Sequence, residues 1–145
     1  MTVEDPLVIL LDTLLPGDGS DWPAAGQHGL AGRTRDLAAL FPGGAEALET
    51  ILAALPKDFA ENTQDLRENQ LRAIEDTQPE AFEKTVTAAY NAYYTNPGIR
   101  GVIERLTGYE NRPPQPEGYE LPPFDESLLD QVKARGPIWR DVPEE

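Results

Sequence analysis

Cysteine is absent from the 145 residues. That excludes disulfides, thiolate metal sites, iron-sulfur ligation and cysteine nucleophiles. Histidine occurs once, at His28 in a glycine-flanked loop. A catalytic base needs an orienting partner and a metal needs several ligands. Asp18, Asp21 and His28 share that loop without any established metal spacing, so His28 is expected to be structural or superficial. Glu-x-x-His pairs of the di-iron kind are missing, because no histidine falls on a predicted helix. There is no strand-to-helix G-x-G-x-x-G, P-loop or G-x-S-x-G. Asp18-Gly19-Ser20 and Gly98-x-x-Gly101 come nearest, and the glycines of the second pair are read as allowing close helix approach. No catalytic residue, metal site or cofactor site is expected on this chain.

Positive charge is also scarce. The formal net charge is −14, and residues 1–32 hold five acids with no lysine or arginine. Residues 110–145 carry nine acids against four bases. Such a surface repels phosphate backbones and anionic lipid, which disfavours nucleic acid and membrane surfaces as partners. No apolar run approaches the roughly 20 residues needed to cross a bilayer. The apolar run Leu7 to Leu11 has no charged region before it, and there is no twin-arginine. The expectation is a cytoplasmic chain without an export signal.

What the chain does contain is helical periodicity. Asp5-Pro6 is a helix start, since Asp can cap the first amides and Pro at the first position loses no hydrogen bond. Leu7, Leu10, Leu11 and Leu14 follow at helical spacing until Pro16-Gly17. Residues 16–32 are turn chemistry almost throughout and predict a long loop. A short helix is expected over about 34–41. Another carries Ala45, Leu48, Ile51, Leu52 and Leu55 on one face. The stretch from about Asn62 to Thr77 has only Leu66, Leu71 and Ile74 as large apolar residues. It reads as a surface helix with a narrow buried stripe and local ion pairs among Arg67, Glu68, Arg72, Glu75 and Asp76. Phe82, Val86, Ala89 and Tyr93 mark the strongest helix. Asn96-Pro97 breaks it, and Ile99, Val102, Ile103 and Leu106 form a last amphipathic helix closed by Gly108. No segment alternates with period two, so the fold is expected to be all-α.

Seven of the fourteen prolines lie between Pro113 and Pro143, interleaved with Tyr119, Phe124 and Trp139. A disordered tail is normally poor in aromatics. The organisation expected is therefore a helical body over 1–108 and an extended, proline-rich strap over 109–145. The strap would carry one short helix near Glu126 to Ala134 and belong to the same domain.

The stretch from Tyr93 to Tyr119 resembles the gluconate 2-dehydrogenase subunit 3 family. In that family a Tyr-rich helix leads through an Asn/Asp-Pro turn to Gly-Tyr and a Pro/Gly-rich segment. The match is carried by Tyr93, Tyr94, Asn96, Pro97, Gly108, Tyr109, Pro113, Pro114, Pro116, Gly118 and Tyr119, with a weaker one at Asp12 to Gly19. These residues cover under a third of the chain. The resemblance implies a non-catalytic small subunit that stabilises or helps mature a large glucose-methanol-choline type sugar or polyol dehydrogenase or oxidase. FAD and catalysis would belong to that partner. Many relatives carry a twin-arginine signal, which this sequence lacks. The interface residues expected are Tyr90, Tyr94, Tyr109, Arg112, Pro114, Tyr119, Phe124 and Trp139, because interfaces concentrate large aromatics and Arg. The alternative is a standalone helical ligand-binding domain or enzyme with a pocket lined by Tyr90, Tyr94 and Trp139. A homo-oligomeric scaffold is the third reading.

Overall fold

Asp5 opens the first helix and ties it to the second. Its Oδ1 accepts from the Leu7 amide at 3.0 Å, which caps α1 (Pro6–Leu14). The same carboxylate accepts two hydrogen bonds from Arg35, at 2.8 and 2.9 Å. Arg35 lies on α2 (Ala31–Ala38), so the fork-to-fork pair fixes the start of α1 against that helix. The computed structural model describes residues 5–110, 118 and 122–136. The chain divides into two compact units, 1–111 and 112–145.

The first unit continues with α3 (Gly44–Ala54), a 3₁₀ turn (Phe59–Glu61), α4 (Gln64–Thr77), α5 (Pro79–Tyr94) and α6 (Pro97–Thr107). All described secondary structure is helical, so the fold is all-α. No described helix is long and apolar enough to cross a membrane.

α5 is the helix around which this unit is built. It packs most extensively on α3 and α2, and also on α4 and α6. Ala88, Ala89 and Ala92 are fully buried along it. Such small side chains let neighbouring helices approach closely, and Phe82 and Tyr93 close the two ends of the stripe. From α1, Leu7, Leu10 and Leu11 contribute no exposed surface at all. Each is worth about 1.5–3 kcal/mol of burial. Polar side chains inside this core are satisfied locally: the Thr13, Thr34 and Thr85 hydroxyls donate to the carbonyls of Ile9, Leu30 and Ala81.

Several predicted faces shift once the helices meet. α2 spans Ala31–Ala38 instead of 34–41, because Leu30 and Ala31 are drawn into the core and Phe41 is left in the following turn, half-buried. On α3 the inner face holds Gly44, Ala47, Leu48 and Ile51, whereas Ala45 is exposed. On α4 only Leu71 and Ile74 turn inward, and Leu66 is 46% exposed. Val86 of α5 is half-buried, with Thr85 and Ala88 taking the deeper positions. α6 buries Ile99 completely but leaves Leu106 in the open. It ends as expected at Gly108, whose φ of 70° is the left-handed value that glycine adopts without steric cost.

In the second unit a 3₁₀ turn (Glu126–Leu129) runs into α7 (Asp130–Arg135), agreeing with the short helix expected near Glu126 to Ala134. Asp125 caps it by accepting from the Ser127 amide at 3.0 Å. The rest of the predicted strap lies mostly outside the described residues.

The Arg35 guanidinium, helped by the Leu7 amide and opposed by partial burial, holds the Asp5 carboxyl below the usual carboxylate range. A depressed folded-state pKa stabilises the fold above the unfolded value of about 3.9 and loses that contribution as pH falls through the folded value. Both side chains keep more than a third of their surface exposed, so the pair contributes less than about 1 kcal/mol. Asp5→Asn, which keeps a capping oxygen, is expected to lower stability by that small amount at pH 7 and by less at pH 3. Asp5→Ala loses the cap as well and falls about 1 kcal/mol further. Urea denaturation of the three proteins at both pH values checks this.

Candidate functional site

The long loop predicted over 16–32 is ordered by bonds within itself and to three helices. Its first turn closes around Asp18. The Asp18 amide donates to the Trp22 carbonyl at 3.1 Å, and its carboxylate accepts from the Ser20 and Trp22 amides at 2.8 and 2.9 Å. Those two amides lower the Asp18 pKa. The carboxylate thus serves the loop's own backbone.

The second half of the loop is pinned to α1. Asp12 Oδ1 accepts from the Gly26 amide at 2.7 Å, and the Leu15 carbonyl accepts from Ala25 at 3.0 Å. Gly26 lies so close to α1 that a Cβ there would run into the Val8 carbonyl oxygen and come within 2.8 Å of the Asp12 carboxyl carbon. The Tyr93 hydroxyl donates to the Pro23 carbonyl at 2.8 Å, which joins the loop to α5. Two further bonds join it to α6. Asn96 Oδ1 caps α6 by accepting from Gly98 and Ile99, and also accepts from His28 Nε2 at 3.1 Å. Asp21 pairs with Arg105 at 2.9 Å. His28 is therefore a loop-to-cap bridge. Gly98 has a structural role there, since a Cβ would come within 2.8 Å of His28 Nε2.

This scaffold fixes the tyrosines at the end of α5. Tyr93 is buried, with only its hydroxyl tied to the loop. The Tyr94 ring meets Tyr93 edge to face, with centroids 5.1 Å apart and planes at 83°. Tyr90 meets Tyr94 the same way at 6.1 Å and 88°. Such edge-to-face pairs contribute about 0.5–1.5 kcal/mol beyond burial. Tyr90 and Tyr94 are 43% and 47% exposed, so two interlocked rings stand on the surface with a buried third behind them.

Of the residues expected at an interface, the structure brings Tyr90 and Tyr94 together. Tyr109 is exposed just beyond α6, and its amide donates to Thr107 Oγ1. Phe124 is exposed in the second unit. Arg112, Pro114, Tyr119 and Trp139 lie outside the described residues. The pocket envisaged between Tyr90, Tyr94 and Trp139 includes a residue outside the described ones. Tyr90 lines an open depression of about 360 Å³ with Leu14, Phe82, Glu83 and Val86, and Tyr94 does not line it. Sequence reasoning missed this depression, because Leu14, Phe82 and Val86 read as core residues. It also missed Asp12 as a loop anchor. Among the described residues no three His, Asp or Glu side chains gather as a metal would require.

Comparison of the chain with protein-family models, with curated proteins and with solved structures found no match.

Burial raises the Tyr93 pKa, and the neighbouring Tyr94 and Asp18 add to the shift. A raised folded pKa means that its contribution is intact below the unfolded value of about 10 and is lost as pH climbs through the folded value. Ultraviolet difference titration should show a tyrosine ionising above the usual tyrosine range. Tyr93→Phe is expected to remove that late step and to lower stability by about 1 kcal/mol, the value of one hydrogen bond with its carbonyl partner left behind.

Proposed function

We propose that this chain is a non-catalytic small subunit of the gluconate 2-dehydrogenase subunit 3 type. It binds and stabilises a large FAD-dependent dehydrogenase or oxidase of the glucose-methanol-choline type acting on a sugar or polyol. The observation that carries the reading is the exposed Tyr90–Tyr94 pair. Large aromatics held rigidly at a surface are what a protein interface uses for affinity, because their ordering is already complete before the partner arrives. The Tyr93 hydroxyl and the loop it holds supply that rigidity here. The sequence resemblance includes the end of α5 at Tyr93 and Tyr94 and continues through Asn96-Pro97 to Gly108-Tyr109. In this reading the flavin, the substrate and the reacting groups all belong to the large subunit.

The test is gentle purification of the tagged chain from its native cells, with identification of co-purifying proteins and a visible absorption spectrum. A stoichiometric large protein with a flavin spectrum is expected. A colourless, solitary chain overturns the reading. With the large subunit in hand, Tyr90→Ala/Tyr94→Ala should weaken its binding at least about tenfold, as central aromatic anchors do. The free small subunit should still unfold cooperatively, with its melting temperature lowered by several degrees through loss of the two edge-to-face contacts. Removing residues 113–145 is expected to abolish association while the helical body remains folded, as helical circular dichroism and a cooperative melt would report.

A further inference from the structure

We propose that the groove between α4 and α5 holds an apolar segment of the partner protein that also carries lysine or arginine. The proposal deepens the small-subunit reading, and rests on it for the identity of the protein supplying the segment.

Two adjoining depressions form the groove. One of about 360 Å³ runs from Pro79 to Tyr90, and the other of about 290 Å³ runs from Phe82 to Pro16. They share Leu14, Glu75 and Phe82. The floor is aliphatic and aromatic: Leu71 and Phe82 are buried, while Leu14 and Val86 are half-buried with their outer surfaces turned to the groove. Tyr90 closes one end and carries the line of apolar surface on to Tyr94.

The rim is negative. Glu68, Glu75 and Glu83 line it, against Arg72 as its one cation among the described residues. Arg72 is already engaged, bonding Glu68 at 3.3 Å and Asn69 at 2.7 Å. Glu75 and Glu83 have no ion-pair partner among the described residues. The last turn of α4 makes this more marked. It carries Glu75 and Asp76 and no basic residue, although the carboxyl end of a helix dipole favours cations. A cation docked beside Glu75 therefore meets an unpaired carboxylate and the negative pole of a 14-residue helix at once.

Charge also decides among occupants. A second copy of a chain with net charge −14 brings the wrong sign, as do nucleic acid and anionic lipid. A protein segment presenting aliphatic side chains flanked by Lys or Arg satisfies both floor and rim.

The experiment uses the intact chain and two synthetic peptides, one an amphipathic leucine-lysine repeat and the other the same repeat with glutamate for lysine. Binding is followed by titration at physiological salt, and its location by amide and methyl chemical shifts. The lysine peptide is expected to bind, with its largest shifts at Leu14, Val86 and Tyr90, and the glutamate peptide is not. Glu75→Gln/Glu83→Gln should weaken the lysine peptide roughly tenfold. It should leave the fold at least as stable, because it removes a charge opposed to the α4 dipole. Shifts spread evenly over the acidic surface, or an unchanged affinity in the double variant, overturn the proposal.

The co-purified flavoprotein supplies the second arm. If the double variant loses affinity for it, the segment is the flavoprotein's own. If the flavoprotein binds the double variant undiminished, the groove proposal falls while the small-subunit reading stands. Groove-centred peptide binding in a chain that captures no flavoprotein supports the groove and overturns the subunit reading instead.

Discussion

The hydrogen bond from the Tyr93 hydroxyl to the Pro23 carbonyl is the constraint on which the rest of the candidate surface depends. The loop between α1 and α2 is rich in glycine and proline, and beyond Ala24, Ala25 and Leu30 it buries little apolar surface with which to hold itself down. Left to its own composition it would pay the full conformational entropy of ordering with few compensating contacts. A buried tyrosine provides a fixed donor at its middle, and Asp12 supplies an acceptor from the other side. With the loop held at these two points, His28 can meet the Asn96 cap and Asp21 can meet Arg105. Those bonds set where α6 leaves α5. The ring of Tyr93 is also the wall against which Tyr94 stands, and through Tyr94 the position of Tyr90 is set. One side chain thus links the core, the loop and the exposed aromatics.

α5 does two jobs on two faces. Its alanine face allows α2 and α3 to pack closely, and these are its two most extensive packing partners. Its other face, with Glu83, Val86, Thr87 and Tyr90, is left to the groove. A larger side chain at Ala88 or Ala92 would push the neighbouring helices away, since close-packed interiors accept added volume only with strain. The tight packing on one side is what holds the other side in register.

Much of this was legible in the sequence. The Asp5-Pro6 start, the Gly108 stop and the helical spacing of Phe82, Ala89 and Tyr93 each rest on local chemistry, and local chemistry survives folding. The errors fall where tertiary contacts choose among near-equal options. Ala45 and Ala47 are equally apolar, and the position of α5 determines which one is covered. Leu66 fits the narrow stripe of α4 as well as Leu71 does, but the stripe is used only from Leu71 onward. The loop's anchors were not legible at all. Asp12 and Gly26 are 14 residues apart and Pro23 and Tyr93 are 70 apart, and no local pattern announces such pairs. The groove was hidden for the opposite reason. Its floor consists of residues that periodicity assigns to the core, and periodicity cannot tell a residue sealed by a neighbour from one left half open.

The second unit presents a different physical problem from the first. Its helical segment, Glu126 to Arg135, is shorter than the roughly 12–15 residues an isolated helix needs to persist in water. Leu128 and Val132 are four apart, and with Phe124 before them they are 64–68% exposed. A capped short helix with its apolar side chains uncovered gains little from its own contacts. It gains most when another surface covers that side, and part of that gain is spent on ordering the segment. The tyrosines of α5 have no such cost, because Tyr93 has already fixed them. In the small-subunit reading the two units therefore contribute unequally. The α5 corner gives affinity through rigidity, while the segment around α7 gives area whose value depends on what it binds.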